Sequence, residues 1–346
     1  MVTRGAMFER RKLLTTIGTG MAVGLAGCTG GDTASGGATY TSDPEAIFGN
    51  PVRATPTDES EWVDPDVLNF AYVPTEDPQA LEDAFQPIID RLADATGKEI
   101  EYFGGQTYAS LVEAMRSGRL HVGGFGAAAT VFAVNLAGAQ PFCASADLED
   151  ESIGYFSMTI TPTGSGITEP EDLIGETVGH ADPGSTSGNL LPRAAWTRQL
   201  GIEPDADYTV EYTGGHAQSV LAVHNGDLIA AHVSSGSGRR SMLEYGIEEE
   251  GIGVNYGSEE NIENFDIIWK SQEIPSSAFA TWYRLHPDLQ TTIRETMIDY
   301  EFEGVMREYF GPNFYKQIDY VADYQLPRDI LAFEGVEFTE DALADL

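Results

Sequence analysis

The residues in this chain best placed to do chemistry form one run, Asp182-Pro183-Gly184-Ser185-Thr186-Ser187-Gly188. Three consecutive hydroxyls follow Pro-Gly, between a short apolar segment (176–179) and a stretch of helical apolar periodicity that begins at Leu190. The first N–H groups of a helix have no intrahelical acceptor, and the macrodipole makes that end partly positive. Hydroxyls at Ser185, Thr186 and Ser187 add donors to the same small volume, so a tetrahedral anion can be held there without a cationic side chain. A single Ser or Thr in this place is an ordinary helix cap; three after Pro-Gly exceed what capping requires. The competing chemistry is nucleophilic, with Ser185 attacking and His216 as its base in a phosphoester hydrolase. No Gly-x-Ser-x-Gly elbow is present, and Ser185 is bracketed by equivalent hydroxyls, which suits holding rather than attack, so no enzyme activity is expected. The other histidines (His121, His180, His224, His232, His286) are not spaced as zinc ligands and Cys143 stands alone, so neither metal nor cofactor is expected.

The elements that must position this run alternate. Residues 67–73 read as a strand closed by Pro74, and Pro78 opens a helix with apolar positions at Leu81, Phe85, Ile88, Ile89 and Leu92. A strand at 99–103 leads to a helix containing Tyr108, Leu111 and Met115, stopped by Gly118. A strand at 120–125 feeds an Ala-rich helix over 127–136. After strands at 142–146 and 155–161, a second series follows: the strand before the hydroxyl turn, a strand at 208–212, a helix at 216–224, a strand at 228–233 and a helix at 239–245. Strands at 265–269 and 278–283 and one long amphipathic helix over 287–310 complete the pattern. Strand and helix alternating at these lengths predict βαβ units on largely parallel sheets. Two such series joined by crossings predict two lobes with a cleft.

Composition limits the partners. The chain has 346 residues, with 19 Lys+Arg against 55 Asp+Glu and a formal charge of -36, and 42% of it is hydrophobic, enough for the cores of two domains. Nothing basic is present in quantity to neutralise phosphates, which excludes nucleic acid as a partner. The acidic residues are spread along the whole length, the pattern of a halophilic, solvated surface. An anion site in so negative a chain must rest on short-range hydrogen bonds, with salt screening the long-range field.

The N-terminal segment, 1–28, reads as an address. Arg10-Arg11 forms a twin-arginine signal, and the small apolar run after it ends at Leu25-Ala26-Gly27-Cys28, which resembles a lipobox with Cys28 as the lipidated residue. Residues 29–62, rich in Gly, Ser, Thr, Asp and Pro, read as a flexible tether that holds the folded body off a membrane. The expected location is therefore the outer face of the cytoplasmic membrane. Two acyl chains on one cysteine anchor far better than one.

Three motifs in order then carry a resemblance: Tyr108-Ala109-Ser110-Leu111-Val112-Glu113-Ala114-Met115-Arg116, Asp182-Pro183-Gly184-Ser185-Thr186-Ser187-Gly188, and Gly215-His216-Ala217 with Leu221-Ala222-Val223-His224-Asn225-Gly226-Asp227. The chain resembles the phosphate/phosphite/phosphonate-binding proteins of ABC transporters over roughly 67–320. The resemblance implies an α/β, two-lobed class II periplasmic-binding fold, with lobe 1 at 63–162 plus 275–346 and lobe 2 at 163–274, closing about a hinge on a small tetrahedral oxyanion. It implies a permease as the protein partner. Ser185, Thr186, Ser187 and Gly188 would grip the phosphoryl oxygens, Tyr108 would donate from the opposite lobe, and His216 would donate from its ring, as a cation if protonated.

Three departures bear on cargo. Where many relatives have a second tyrosine after the third strand, this chain has Phe125, an apolar wall in place of a donor. Where aminophosphonate binders place carboxylates, downstream of the histidine and two residues after the late proline, it has Gly236 and Ser277. The expected cargo is thus phosphate, phosphite or a small phosphonate; another small anion, such as a sulfonate, is the alternative on the same fold.

Overall fold

The computed structural model describes residues 52–75, 77–246 and 264–336. The twin-arginine segment, Cys28 and most of the expected tether lie outside the described residues.

Local signals set the first helix. Asp77 caps Pro78–Thr96 by accepting from the N–H groups of Gln79 and Ala80, Pro78 sits in the first turn, and Gly97 ends the helix in the left-handed region at φ 66°. Leu81, Phe85, Ile88 and Leu92 turn one face of it into the core. This helix connects strands β1 (Val67–Tyr72) and β2 (Glu99–Tyr102); the helix Tyr108–Arg116 then leads to β3 (Val122–Phe125). Helix Ala127–Phe132 runs on through a wider turn, Ala133–Ala137, into β4 (Ala139–Asp147). The remaining strands are β5 (Gly154–Tyr155), β6 (Ser157–Pro162), β7 (Thr177–His180), β8 (Thr209–Tyr212), β9 (Ala230–Ser234), β10 (Phe265–Lys270), β11 (Ile274–Pro275), β12 (Ala278–Trp282) and β13 (Asn313–Gln317).

Two main sheets result, ordered β13-β4-β12-β3-β1-β2 and β10-β6-β9-β7-β8, with β5 and β11 forming a short antiparallel pair of their own. The sheets are mixed rather than largely parallel. β1 is parallel to β2 and β3, but β12 returns late in the chain and inserts antiparallel between β3 and β4. In the second sheet β7 is parallel to β8 and β9, whereas β6 runs antiparallel to β9 and β10. Strand β6, expected with the first lobe, is therefore hydrogen-bonded in the second sheet, and the sheet boundary falls before Ser157 rather than after residue 162.

Two further expectations change. The tail is two helices, Pro287–Met297 and Gly304–Phe310, not one. Between them the chain pairs with β13: Asp299 N–H donates to the Tyr315 carbonyl and Phe302 N–H to that of Asn313, while Tyr300 and Phe302 are buried. Backbone pairing and aromatic burial override the helical periodicity there. Residues 52–62, expected as tether, lie against the body: the Arg53 carbonyl accepts from Gln140 Nε2 at 2.6 Å, and Trp62 packs edge-on to His286 at 5.1 Å.

The main core fills the six-stranded sheet and its helices, around Phe70, Phe85, Phe125, Phe279 and Tyr315. Each face of the five-stranded sheet has a smaller core, one around Ile160 and Val233, the other around Val178 and Trp196. Leu190, Leu191, Ala194 and Ala195, on the helical segment that follows the hydroxyl turn, are buried with the main core. Trp196, next along, belongs to a core of the second sheet. One helical segment thus packs on both, and this fixes where the turn sits.

Candidate functional site

The hydroxyl turn leaves β7 and is held by its own backbone. Ser185 caps the helical segment: its Oγ accepts from Gly188 N–H at 3.1 Å, and its own N–H donates to the Asp182 carbonyl at 2.9 Å. Asn189 Nδ2 donates to the Pro183 carbonyl at 2.7 Å. His180 Nδ1–H donates to Asn189 Oδ1 at 2.8 Å, which leaves Nε2 to accept from the Tyr208 hydroxyl at 3.1 Å. Gly188 has no room for a side chain, since a Cβ there would lie 2.5 Å from that of Ala181 and 3.1 Å from His216 Cε1. Gly184 is equally close to Tyr108, whose Cβ would lie 2.9 Å from one added at the glycine. The turn approaches helix Tyr108–Arg116 this closely because Gly184 lacks a Cβ, and Gly188 does the same for its contact with Ala181 and His216.

A cavity of about 610 Å³ opens beside this contact, walled by residues from both main sheets and from the β5/β11 pair. Of the residues singled out from the sequence, Tyr108, Thr186, His216, Gly236 and Ser277 line it. Ser185, Ser187 and Gly188 are buried in the same turn but do not line it. The hydroxyls are already engaged. Thr186 Oγ1 accepts from Ala128 N–H at 2.8 Å, at the start of the Ala-rich helix under the other sheet. The Ser185 side chain, which holds Gly188 N–H, also faces the Tyr108 phenol.

Phe125 is displaced from its expected place. It is fully buried in the main core, on the same face of β3 as Gly123, and does not line the cavity. Side chains alternate along a strand, and position 125 points inward. A second tyrosine is present elsewhere: Tyr155, on β5, lines the cavity and its phenol faces the side chains of Ser187 and Thr186. Burial pushes its phenol up to about 12, so it stays protonated and able to donate. Burial also holds the Tyr108 phenol well above its ordinary value.

His216 begins the helix His216–Asn225 and is 3% exposed. Desolvation lowers it to about 4, so near neutral pH it is an uncharged imidazole rather than the cation the sequence allowed for. Its Nδ1 is buried with no hydrogen-bonding partner in the protein, which leaves one polar atom unsatisfied at the cavity wall.

Charged groups line the cavity beyond those read from the sequence. Arg240 lies 4.0 Å over the Tyr309 ring and Lys270 3.8 Å over that of Phe156. Asp147, Glu149, Asp150 and Glu273 also contribute, and Ser152 Oγ donates to Glu273 at 3.1 Å. Spacing along the chain carried no signal for these, because β5, β11 and their flanking loops bring them together from distant segments. Among the described residues no group of three or more His, Cys, Asp or Glu could hold a metal ion, and no helix is long and apolar enough to cross a membrane.

Residues 70–321 match the family described as "ABC transporter, phosphonate, periplasmic substrate-binding protein". The chain is 30% identical over 233 residues to the phosphate-import protein PhnD of Mycolicibacterium smegmatis, covering 65% of this chain and 69% of the relative. It is 26% identical over 237 residues to the phosphonates-binding periplasmic protein of Escherichia coli, covering 67% and 64%. Among solved structures, the binding protein component of an ABC phosphonate transporter from Pseudomonas aeruginosa superposes with a TM-score of 0.63 at 22% identity, over 81% of this chain and 93% of that one, which shows the α/β periplasmic-binding fold. A family match spanning most of the described body, on the fold those proteins share, leads to one assignment: the chain belongs to the periplasmic substrate-binding proteins of ABC phosphonate transporters.

Proposed function

We propose that this chain is an extracytoplasmic receptor that binds phosphate, phosphite or a small phosphonate in the cavity between its two sheets and delivers it to a permease. The observation that carries the reading is convergence. Tyr108, Tyr155, the turn Ser185-Thr186-Ser187 and His216 come from four separate parts of the chain, and each either lines the cavity or faces a residue that does. All present neutral groups rich in donors, which is what a tetrahedral oxyanion requires in a chain of formal charge -36. Relatives named for phosphate import and for phosphonate binding support the cargo class. The β5/β11 pair is the proposed hinge, with one lobe on each main sheet. Cys28 is the proposed lipid anchor and the residues after it the tether.

Calorimetric titration of the folded body against phosphate, phosphite, methylphosphonate, methanesulfonate and 2-aminoethylphosphonate tests the reading. One of the first three is expected to bind at least ~1.4 kcal/mol, or about tenfold, more tightly than the aminophosphonate. The reason is that Gly236 and Ser277 line the cavity where an ammonium would need a carboxylate. Of the four carboxylates at the cavity, Asp147 is half-buried and accepts from Glu149 N–H at 2.7 Å, while Glu149, Asp150 and Glu273 are exposed, and an ion pair with solvent-exposed partners contributes only about 0–1 kcal/mol. Equal or tighter binding of the aminophosphonate would assign one of these carboxylates to the ligand, and preference for the sulfonate would change the cargo class.

Tyr155→Phe supplies a second test. A hydrogen bond to a charged acceptor contributes about 1.5–3 kcal/mol, so the variant should bind phosphate roughly 10- to 100-fold more weakly than the parent. An unchanged dissociation constant would remove Tyr155 from the site.

A further inference from the structure

Asp182 is an unexpected group to find beside an anion seat. It is 4% exposed and stands three residues before Ser185. Its Oδ1 accepts from Gly184 N–H at 2.8 Å, and its carboxylate also faces the backbone N–H of Tyr108, near enough for that donor to favour the charged form. That N–H belongs to the first residue of helix Tyr108–Arg116, one of the orphan donors of a helix start, where the macrodipole favours a negative charge. The carboxylate therefore joins the hydroxyl turn of the five-stranded sheet to a helix of the six-stranded one, at the point where Gly184 lets the two backbones approach. We infer that Asp182 is a proton-linked clasp: it positions Tyr108 against the hydroxyl turn, and its charge is neutralised by proton uptake when an oxyanion binds beside it. This inference rests on the proposed function.

The argument is one of like charges in a dry place. An anion at the turn places a second negative charge within a few residues of a carboxylate already short of solvent. Two such charges disfavour joint ionisation, so the carboxylate takes up a proton. A protonated Asp182 can still offer its carbonyl oxygen to the Gly184 and Tyr108 N–H groups, so the clasp survives neutralisation. Burial already raises its pKa to about 6, which places the change within reach of neutral pH.

The groups around it do not titrate in that window. The Tyr108 phenol, and that of Tyr212 from β8, are raised above their ordinary value, and His180 on β7 and His216 on the facing helix are both lowered to about 4. Arg193 also faces this cluster, and its charge acts on His180 and Tyr212.

The sign follows from linkage. If the pKa is higher with anion bound than without, binding takes up protons and affinity falls as pH rises through the two values. Asp182→Asn keeps an acceptor oxygen and removes the charge. Inorganic phosphate titrated into parent and variant from pH 5.5 to 8 is the probe, and the ratio of the two dissociation constants cancels the titration of phosphate itself. For a shift of about one pH unit on binding, the variant should bind less than ~2-fold more tightly at pH 5.5 and about tenfold more tightly at pH 8. In the parent, the carboxyl ¹³C resonance of Asp182 should titrate about one pH unit higher with saturating phosphate than without it, a measurement that does not depend on the variant folding.

A ratio that stays constant with pH, or a midpoint that does not rise, would overturn the coupling while leaving the proposed function intact. Failure of the parent to bind any phosphorus oxyanion would overturn the proposed function, and the coupling with it.

Discussion

Replacing Ser185, Thr186 and Ser187 together by alanine is expected to lower phosphate affinity by several orders of magnitude, directly through Thr186 at the cavity wall and indirectly through Tyr108 and Tyr155, whose phenols Ser185 and Ser187 face. Each hydroxyl that reaches a charged acceptor contributes about 1.5–3 kcal/mol, and factors of ten accrue every 1.4 kcal/mol. The structure adds a second cost. Thr186 Oγ1 satisfies Ala128 N–H, and Ser185 Oγ satisfies that of Gly188, so the variant also buries donors without acceptors. Loss of the serine cap costs about 0.5–2 kcal/mol, and each orphaned buried donor about 1–3 kcal/mol. The triple variant should therefore unfold at lower temperature as well as bind poorly, and titration must be made on the fraction that thermal unfolding shows to be folded. Thr186→Ser is the conservative control: it keeps the hydroxyl at the cavity wall and the acceptor for Ala128 N–H, and should retain most of both affinity and stability. If the triple variant binds phosphate within threefold of the parent, the turn is a capped helix start and nothing more.

Phe125→Ala is expected to do the opposite: a large loss of stability with little change in binding. The ring is fully buried in the main core, and removing a core phenylalanine costs about 3–5 kcal/mol through lost burial and the cavity left behind. That is a sizeable share of the ~5–15 kcal/mol by which folded domains are stable. Its ring also packs where a Cβ on Gly123 would lie, 2.7 Å away, so the neighbouring backbone has little freedom to refill the space. Denaturant unfolding should show the loss, and phosphate titration of the folded variant should agree with the parent within about twofold, since nothing in the cavity wall changes. A normal midpoint with a tenfold weaker affinity would return Phe125 to the role the sequence suggested, an apolar wall of the site.

The contrast between these two variants shows what each level of description can reach. The hydroxyl turn is legible in sequence because its chemistry is local: Pro-Gly, three hydroxyls and a helix start are contiguous, and capping forces them into one small volume. The α/β class was legible for a similar reason, since strand and helix periods are properties of short windows. Tyr108 and His216 are reached from sequence only through the resemblance that the order of three motifs carries. The second tyrosine is not reached that way. Phe125 and Tyr155 are both aromatic residues on strands, and only the alternation of β3 and the crossing of β5 decide which faces the core and which the cavity.

Sheet direction, the break at Ile298 and the packing of residues 52–62 were equally beyond local reading. Each depends on a partner strand or surface contributed from far along the chain, and backbone groups there take the pairing that buries the most apolar area rather than the one their own period favours. Charge shows the same division. Composition fixed the overall negative field, but which groups ionise inside it was decided by burial: His216 is neutral because it is desolvated, and Asp182 is raised toward neutral pH because the fold takes it away from water, against the opposing pull of the Gly184 and Tyr108 N–H groups.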